Sequence, residues 1–242
     1  MYGILCATPE ELAALQSRLS IDVGGKAHGP TRVWFGHHRG RDLALALAGI
    51  GKVNAAAAAT LLLSTYGAKT LVFSGVAGGL NPELAVGSVL LAERLGIHDY
   101  GIVTSRQFTP TTYGIIPIGA PRLEVPPPVP PEVRATLLRL RDAMRGRIGH
   151  AVELGAILTA DYFLNCAETR DELRAAFGAD AVDMESGAVN QVATAWGVPL
   201  YVIRTLSDLA GDDSHLSYSE LATMAAQNSA ACVMGLLDLL ED

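Results

Sequence analysis

The chain has 242 residues, with 18 lysines and arginines against 25 aspartates and glutamates (net charge −7), and half of its residues are hydrophobic. That acidic balance argues against a protein that grips a phosphate backbone, no apolar run of about 18 residues is present to span a membrane, and a chain this long buries roughly 70–75% of its unfolded surface without a metal or disulfide staple. Cys6, Cys166 and Cys232 are odd in number and far apart, and the opening Met1-Tyr2-Gly3-Ile4-Leu5-Cys6-Ala7 runs into Glu10 and Glu11 with no basic stretch, so a soluble cytoplasmic protein without disulfides, zinc or signal peptide is expected.

Strand and helix patterns then alternate. Residues 2–7 form a short apolar run, and a helix is expected over 9–18. Thr8 as N-cap, Pro9 at the first helical position and Glu11 three residues after the cap spell a capping box. An extended segment over 42–48 sets Leu43, Leu45 and Leu47 on one face, and an Ala-rich helix follows over 52–66. Strands are expected at 69–74 and 86–93, with a glycine loop, Gly75-Val76-Ala77-Gly78-Gly79, directly after the first. Around 114–131 stand Gly114, Pro117, Gly119, Pro121, Pro126, Pro127, Pro128, Pro130 and Pro131, a density that forbids helix and central strand alike. An extended surface loop over a site or interface is expected there, in preference to a proline-motif ligand for a partner domain. Helices at 131–144, 168–177, 185–196 and 217–240 then alternate with strands at 154–159, 180–184 and 199–206. The expected fold is α/β: a single three-layer α/β/α domain over 1–242 around a central mixed, twisted sheet.

Several motifs fail on inspection. Gly49-Ile50-Gly51-Lys52-Val53-Asn54 has the setting of a dinucleotide fingerprint, but Asn54 stands where the third glycine belongs and no acid occurs from 52 to 82. Gly51-Lys52 is no P-loop either, because Ala46 and Val53 occupy positions that need Gly and Ser or Thr. The turn around Ile50 can still bring backbone close to a ligand. His37 and His38 are adjacent, point to opposite faces of a strand and cannot share a metal. His98-Asp99 is a lone pair with weak catalytic credentials, and no G-x-S-x-G elbow is present.

Three acidic clusters remain at strand ends, where open α/β sheets place ligands. Glu10-Glu11 follows the first strand. Asp183-Met184-Glu185 ends another, with alternation placing both carboxylates on one side. Arg204-Thr205-Leu206-Ser207-Asp208 closes a third. Helix capping or loop capping accounts for each cluster alone. Together with the glycine loop they suggest a sugar-binding crevice, with Met184 against the sugar face, Glu185 bridging two hydroxyls and Asp208 able to protonate a leaving group.

These blocks, together with Gly49-Ile50-Gly51-Lys52-Val53 and Ser214-His215-Leu216-Ser217-Tyr218, cover nearly the whole chain. The chain resembles the purine nucleoside and uridine phosphorylase superfamily, and within it the bacterial methylthioadenosine/S-adenosylhomocysteine nucleosidases. The resemblance implies a nucleoside phosphorylase-like fold and hydrolysis of an N-glycosidic bond, with no cofactor and no metal. By position Glu11 matches the general base that activates water and Asp208 the acid that protonates the purine at N7. Glu185, Asp183 and Met184 match the ribose site, Phe163 the aromatic stacked on the base and Leu164 its backbone edge recognition. Ile50, Val76, Ala77 and Gly78 match backbone around the substrate. Arg204 and Ser207 look like supports that orient Glu11 and Asp208. A small nucleoside is the implied partner, in a homodimer, with no nucleic acid and no membrane, and with a place in methionine salvage.

Phosphorylases of the superfamily carry an arginine and a hydroxyl where this chain has Phe73 and Val76, so water is the expected nucleophile. The nucleosidases usually keep a serine at the Val76 position, and the proline-rich segment is unusual, so futalosine-type hydrolysis stays open as an alternative. A phosphorylase and a non-catalytic nucleoside-binding protein on the same fold also stay open.

Overall fold

The computed structural model describes residues 1–22 and 24–240. The opening strand β1 (Tyr2–Cys6) is buried throughout and leads into α1 (Pro9–Gln16). The expected capping box is formed: the Thr8 hydroxyl accepts from Glu11 N while the Glu11 carboxylate accepts from Thr8 N. Next come β2 (Ser20–Ile21), β3 (Lys26–His28), β4 (Thr31–His38) and β5 (Arg41–Leu47). A two-residue turn, Arg39-Gly40, with φ of 45° and 83°, joins β4 to β5 as a tight hairpin. The sequence pattern does not announce β2, β3 and β4, which have exposed positions at the sheet edge.

Helix α2 (Lys52–Ser64) and strand β6 (Thr70–Gly79) follow, then β7 (Val89–Ile97) and the small hairpin β8 (Gly101–Thr104) and β9 (Gln107–Pro110). Beyond the proline-rich segment the chain runs through α3 (Pro131–Met144), β10 (Val152–Thr159), α4 (Ala167–Phe177), β11 (Ala181–Asp183), α5 (Ser186–Trp196), β12 (Leu200–Asp208) and α6 (Ser214–Leu239). Helices α4 and α5 stop at Gly178 and Gly197, both left-handed, as C-terminal glycines commonly do.

The main sheet has ten strands in the order β11-β10-β7-β12-β6-β1-β5-β4-β2, with β3 beside β4. It is mixed: β1, β5, β6 and β12 run parallel, as do β7, β10 and β11, whereas β12 meets β7 antiparallel. Strand β11 also pairs antiparallel with the far end of β6, so five strands close a ring. Helices α1, α3 and α6 pack on one face, α2 and α5 on the other, giving the expected three layers. Among the described residues no helix is long and apolar enough to cross a membrane.

Two expectations need correction. The segment Gly75–Gly79 is not a loop but the second half of β6: Gly78 and Gly79 pair with Val182 and Ala181 on one side, while Gly75–Gly78 pair with Arg204–Asp208 on the other. The proline-rich segment is also not wholly a surface loop. Leu95 N donates to Pro127 O and Val129 N to Glu93 O, so part of it pairs with the second half of β7, beyond the stretch that β12 occupies.

Candidate active site

The ends of β1, β6, β11 and β12 converge with the first turn of α1 on a cavity of about 420 Å³. Its wall is formed by Glu11, Ile50, Val76, Ala77, Gly78, Phe163, Leu164, Asp183, Met184, Glu185, Ser207 and Asp208, so every expected site residue except Arg204 lines it. Ala7, Thr8, Tyr162, Val182, His215 and Tyr218 complete the lining. His215 and Tyr218 were given no role in the sequence reading, although their spacing of three at the start of a helix puts them on one face.

Glu11 is buried and held from two elements. Its Oε2 accepts from Ala7 N at 2.6 Å and Thr8 N at 3.2 Å, and its Oε1 from Val76 N at 3.0 Å. The capping role therefore fixes the side chain at the lip of the cavity. Burial pushes its pKa up, opposed by Arg204 and the backbone donors.

Arg204 lies behind the cavity wall, fully buried on β12, which is buried along its whole length. Its Nε donates to Asp183 Oδ2 at 2.9 Å and to Ser186 Oγ at 3.2 Å, and its Nη2 to Glu185 Oε2 at 3.2 Å. Nη1 lies 4.0 Å from Glu11 Oε1. The contact with Glu11 is thus the longest, and Arg204 is hydrogen-bonded to Asp183 and Glu185. Glu185 Oε1 also accepts from Gly51 N at 3.0 Å, where a φ of 98° suits glycine. Burial raises the pKa of Glu185 to about 7.

Asp183 lines the cavity, but its oxygens are taken up by protein donors: Thr159 Oγ1 at 2.6 Å, Arg204 Nε, the Ser186 hydroxyl, and the backbone N–H groups of Glu185 and Ser186. Its geometry is that of a strut for Arg204 and the start of α5, at the wall of the cavity. Asp208 ends β12, accepting from Ser207 Oγ at 2.9 Å and from Ala210 N at 2.8 Å, and burial raises its pKa. Ser207 is thus hydrogen-bonded directly to Asp208. Phe163 is 47% exposed and meets Tyr218 edge-on, with ring centroids 5.9 Å apart. His98 and Asp99 bond different partners: Asp99 binds Lys52, and His98 meets the Tyr162 hydroxyl.

Among the described residues no lysine or arginine lines this cavity, and no group of His, Cys, Asp or Glu could hold a metal ion. Four carboxylates around one apolar cleft with an exposed aromatic ring suit a neutral ligand that develops positive charge, not an anion.

Residues 1–238 match the phosphorylase superfamily profile. The chain belongs to the phosphorylase superfamily. A 5'-methylthioadenosine/S-adenosylhomocysteine nucleosidase of Mycobacterium tuberculosis is 38% identical over 250 residues, spanning 98% of this chain and 97% of its own. The nucleosidase of that name from Helicobacter pylori, solved with a pyrrolopyrimidine-bearing pyrrolidinol, aligns with a TM-score of 0.85 at 26% identity, covering 98% of this chain and 97% of its own. A native futalosine hydrolase structure from H. pylori aligns with the same TM-score, identity and coverage.

Within the superfamily fold the two departures now have a physical account. Phe73 faces the core, with its ring centroid 3.9 Å from the Arg204 guanidinium carbon, so it supports that cation from behind. Val76 offers the cavity a hydrocarbon side chain, while its N–H is committed to Glu11.

Proposed function

We propose that this chain is a nucleosidase that hydrolyses the N-glycosidic bond of 5'-methylthioadenosine and S-adenosylhomocysteine, releasing adenine and the 5-thioribose product. The observation that carries this reading is the convergence of Glu11, Glu185 and Asp208 on one cavity that no lysine or arginine lines among the described residues. Glu11 takes a proton from water as its oxygen attacks the anomeric carbon. Asp208 gives a proton to the purine, so the bonding pair of the breaking C–N bond leaves on a neutral base. Glu185 holds the ribose hydroxyls, Met184 packs on the sugar, Phe163 stacks on the base and Leu164 reads its edge through the backbone. Each acid–base role is worth roughly 10²–10⁴ in rate. Negative charge around the sugar favours the oxocarbenium-like transition state.

Three finer proposals go with this activity: a homodimer, a cytoplasmic setting and a place in methionine salvage. Support for the dimer comes from the exposed apolar side chains of Val53, Ile116 and Ile118. A second substrate reading, futalosine hydrolysis, is favoured by the likeness to the H. pylori futalosine hydrolase structure.

The test is release of free adenine from methylthioadenosine, in phosphate-free buffer and again with phosphate. Equal rates are expected. Release only with phosphate would overturn hydrolysis, and release of base from futalosine alone would move the assignment to the second reading.

A further inference from the structure

Two pieces of motifs singled out in the sequence have no part in this chemistry: Lys52, from the Gly51-Lys52 that fails as a P-loop, and His98-Asp99, which fails as a catalytic pair. The fold brings them together. Lys52, the first residue of α2, donates through Nζ to both oxygens of Asp99 at 2.5 and 2.6 Å. Asp99 Oδ2 also accepts from Asp161 N at 2.9 Å. Asp161 closes the circuit: its Oδ1 accepts from Lys52 N at 2.8 Å, and its Oδ2 lies 3.6 Å from Lys52 Nζ. Next to it, His98 Nε2 and the Tyr162 hydroxyl are 2.5 Å apart. The dipeptide just beyond β7 therefore grips two successive residues, 161 and 162, that lead straight into Phe163 and Leu164.

We propose that Lys52, His98 and Asp99 are positioning residues that hold Tyr162–Leu164 where the purine binds. Residues 160–166 have no helix or strand of their own, so their order must come from outside contacts. A segment held before the ligand arrives spares the ordering cost at binding, and that difference appears as affinity for the base. The side chains of Lys52 and Asp99 are only 20% and 22% exposed, which limits screening of their pair. The sugar half is held by bonds that the Lys52 ammonium does not touch, since Glu185 accepts from Gly51 N and Arg204. Loss of the clamp should weaken recognition of the base and leave recognition of the sugar intact.

The inference rests on the nucleosidase reading, and the experiment separates the two. Lys52→Met keeps the backbone N–H that serves Asp161 but removes the ammonium. Its Ki for adenine as product inhibitor should rise about tenfold, the scale expected of a coupled residue that touches no ligand. KM for methylthioadenosine should rise similarly, kcat should stay within about twofold, and the Ki of the thioribose product should not move. Lys52→Arg should recover most of the loss. Asp99→Asn should reproduce the signature, and the double variant should be no worse than either single one. Unchanged adenine inhibition, or equal losses for adenine and the thioribose product, would overturn the clamp. A wild-type protein that releases no adenine would overturn the nucleosidase reading instead. Calorimetric titration of adenine into wild type and Lys52→Met would then judge the clamp alone, equal affinities or no binding overturning it.

Discussion

A methyl group added at Gly75 tests whether Glu11 and Arg204 must sit where the structure holds them. A Cβ there would lie 2.2 Å from Arg204 Nη1, 2.4 Å from Glu11 Oε1 and 2.7 Å from Glu11 Cδ, whereas ordinary contact begins at 3.4 Å. Both groups, or the β6 backbone that carries the new Cβ, must therefore give way by about 1 Å. Arg204 is fully buried, bonded to Asp183 and Glu185, and backed by the Phe73 ring, so part of the strain passes to β6. Glu11 is displaced with it, and its bond to the N–H of Val76 is lost or stretched. Misplacement of a reacting group by about 1 Å costs around 10²-fold in rate, and forced overpacking about 1–3 kcal/mol. Gly75→Ala should thus lower kcat for adenine release about a hundredfold, lower the melting temperature by about 5 °C and change KM far less. Gly149→Ala is the matched control, because nothing lies within 4 Å of its added Cβ. Steady-state adenine release beside thermal melts would decide. A Gly75→Ala protein with kcat within threefold of wild type would refute the idea that close approach at β6 sets the position of Glu11.

Asp208→Asn should cut kcat by roughly 10²–10⁴ while calorimetry still detects substrate binding; wild-type turnover would remove Asp208 from the mechanism. Glu11→Gln should abolish hydrolysis and cost about 1–3 kcal/mol in stability, because the amide nitrogen leaves buried backbone donors on one side of the carboxylate unpaired. Activity falling only in step with stability would make Glu11 purely structural. For Glu185, burial raises the folded-state pKa from 4.5 to about 7. Folded protein then holds a proton that unfolded chain releases, so this group's contribution to stability is lost as pH rises between those values. Glu185→Gln should flatten the decline in denaturant midpoint between pH 5 and 7.5, and an unchanged slope would count against the shifted carboxyl.

The helices and central strands were legible because periodicity, caps and breakers agree: Thr8-Pro9 opens α1, and Gly178 and Gly197 close α4 and α5. The edge strands β2, β3, β8 and β9 span only two to four residues and carry exposed positions, too little for a period to register. The end of β6 misled for a different reason. Glycine usually weakens a strand, but Gly78 and Gly79 lie between β11 and β12, where the Asp208, Ala210, Leu206 and Leu209 side chains approach within 3.0–3.3 Å of any added Cβ. Glu11, Glu185 and Asp208 stood out as acids at strand ends. The true partners of Arg204 did not, since the direction of a guanidinium fork depends on how β12 is placed against β11 and the start of α5. No local pattern encodes that placement.

That fork also explains why this cavity suits water as nucleophile better than phosphate. Arg204 is set against Glu11, Asp183 and Glu185 from behind the wall: its Nε and Nη2 serve Asp183 and Glu185, and its Nη1 lies 4.0 Å from Glu11, outside the cavity lining. Beyond it stands Asp208, and no lysine or arginine lines the cavity among the described residues. Two like unit charges 4 Å apart repel by about 4 kcal/mol at an effective dielectric of 20, so phosphate drawn into this cleft is repelled by each ionised carboxylate and finds no lysine or arginine among the described lining residues to bind it. A ribose gaining positive charge at its anomeric carbon meets the opposite field. The burial that raises the pKa of Glu11, Glu185 and Asp208 belongs to the same arrangement: an acidic site short of cations holds protons more tightly than water would, and is relieved as cationic character develops in the substrate. Substituting Val76 by serine would restore a hydroxyl yet leave this field untouched, so a hydroxyl alone should not convert the site to phosphorolysis; phosphate-dependent adenine release by Val76→Ser would show that the field argument is wrong.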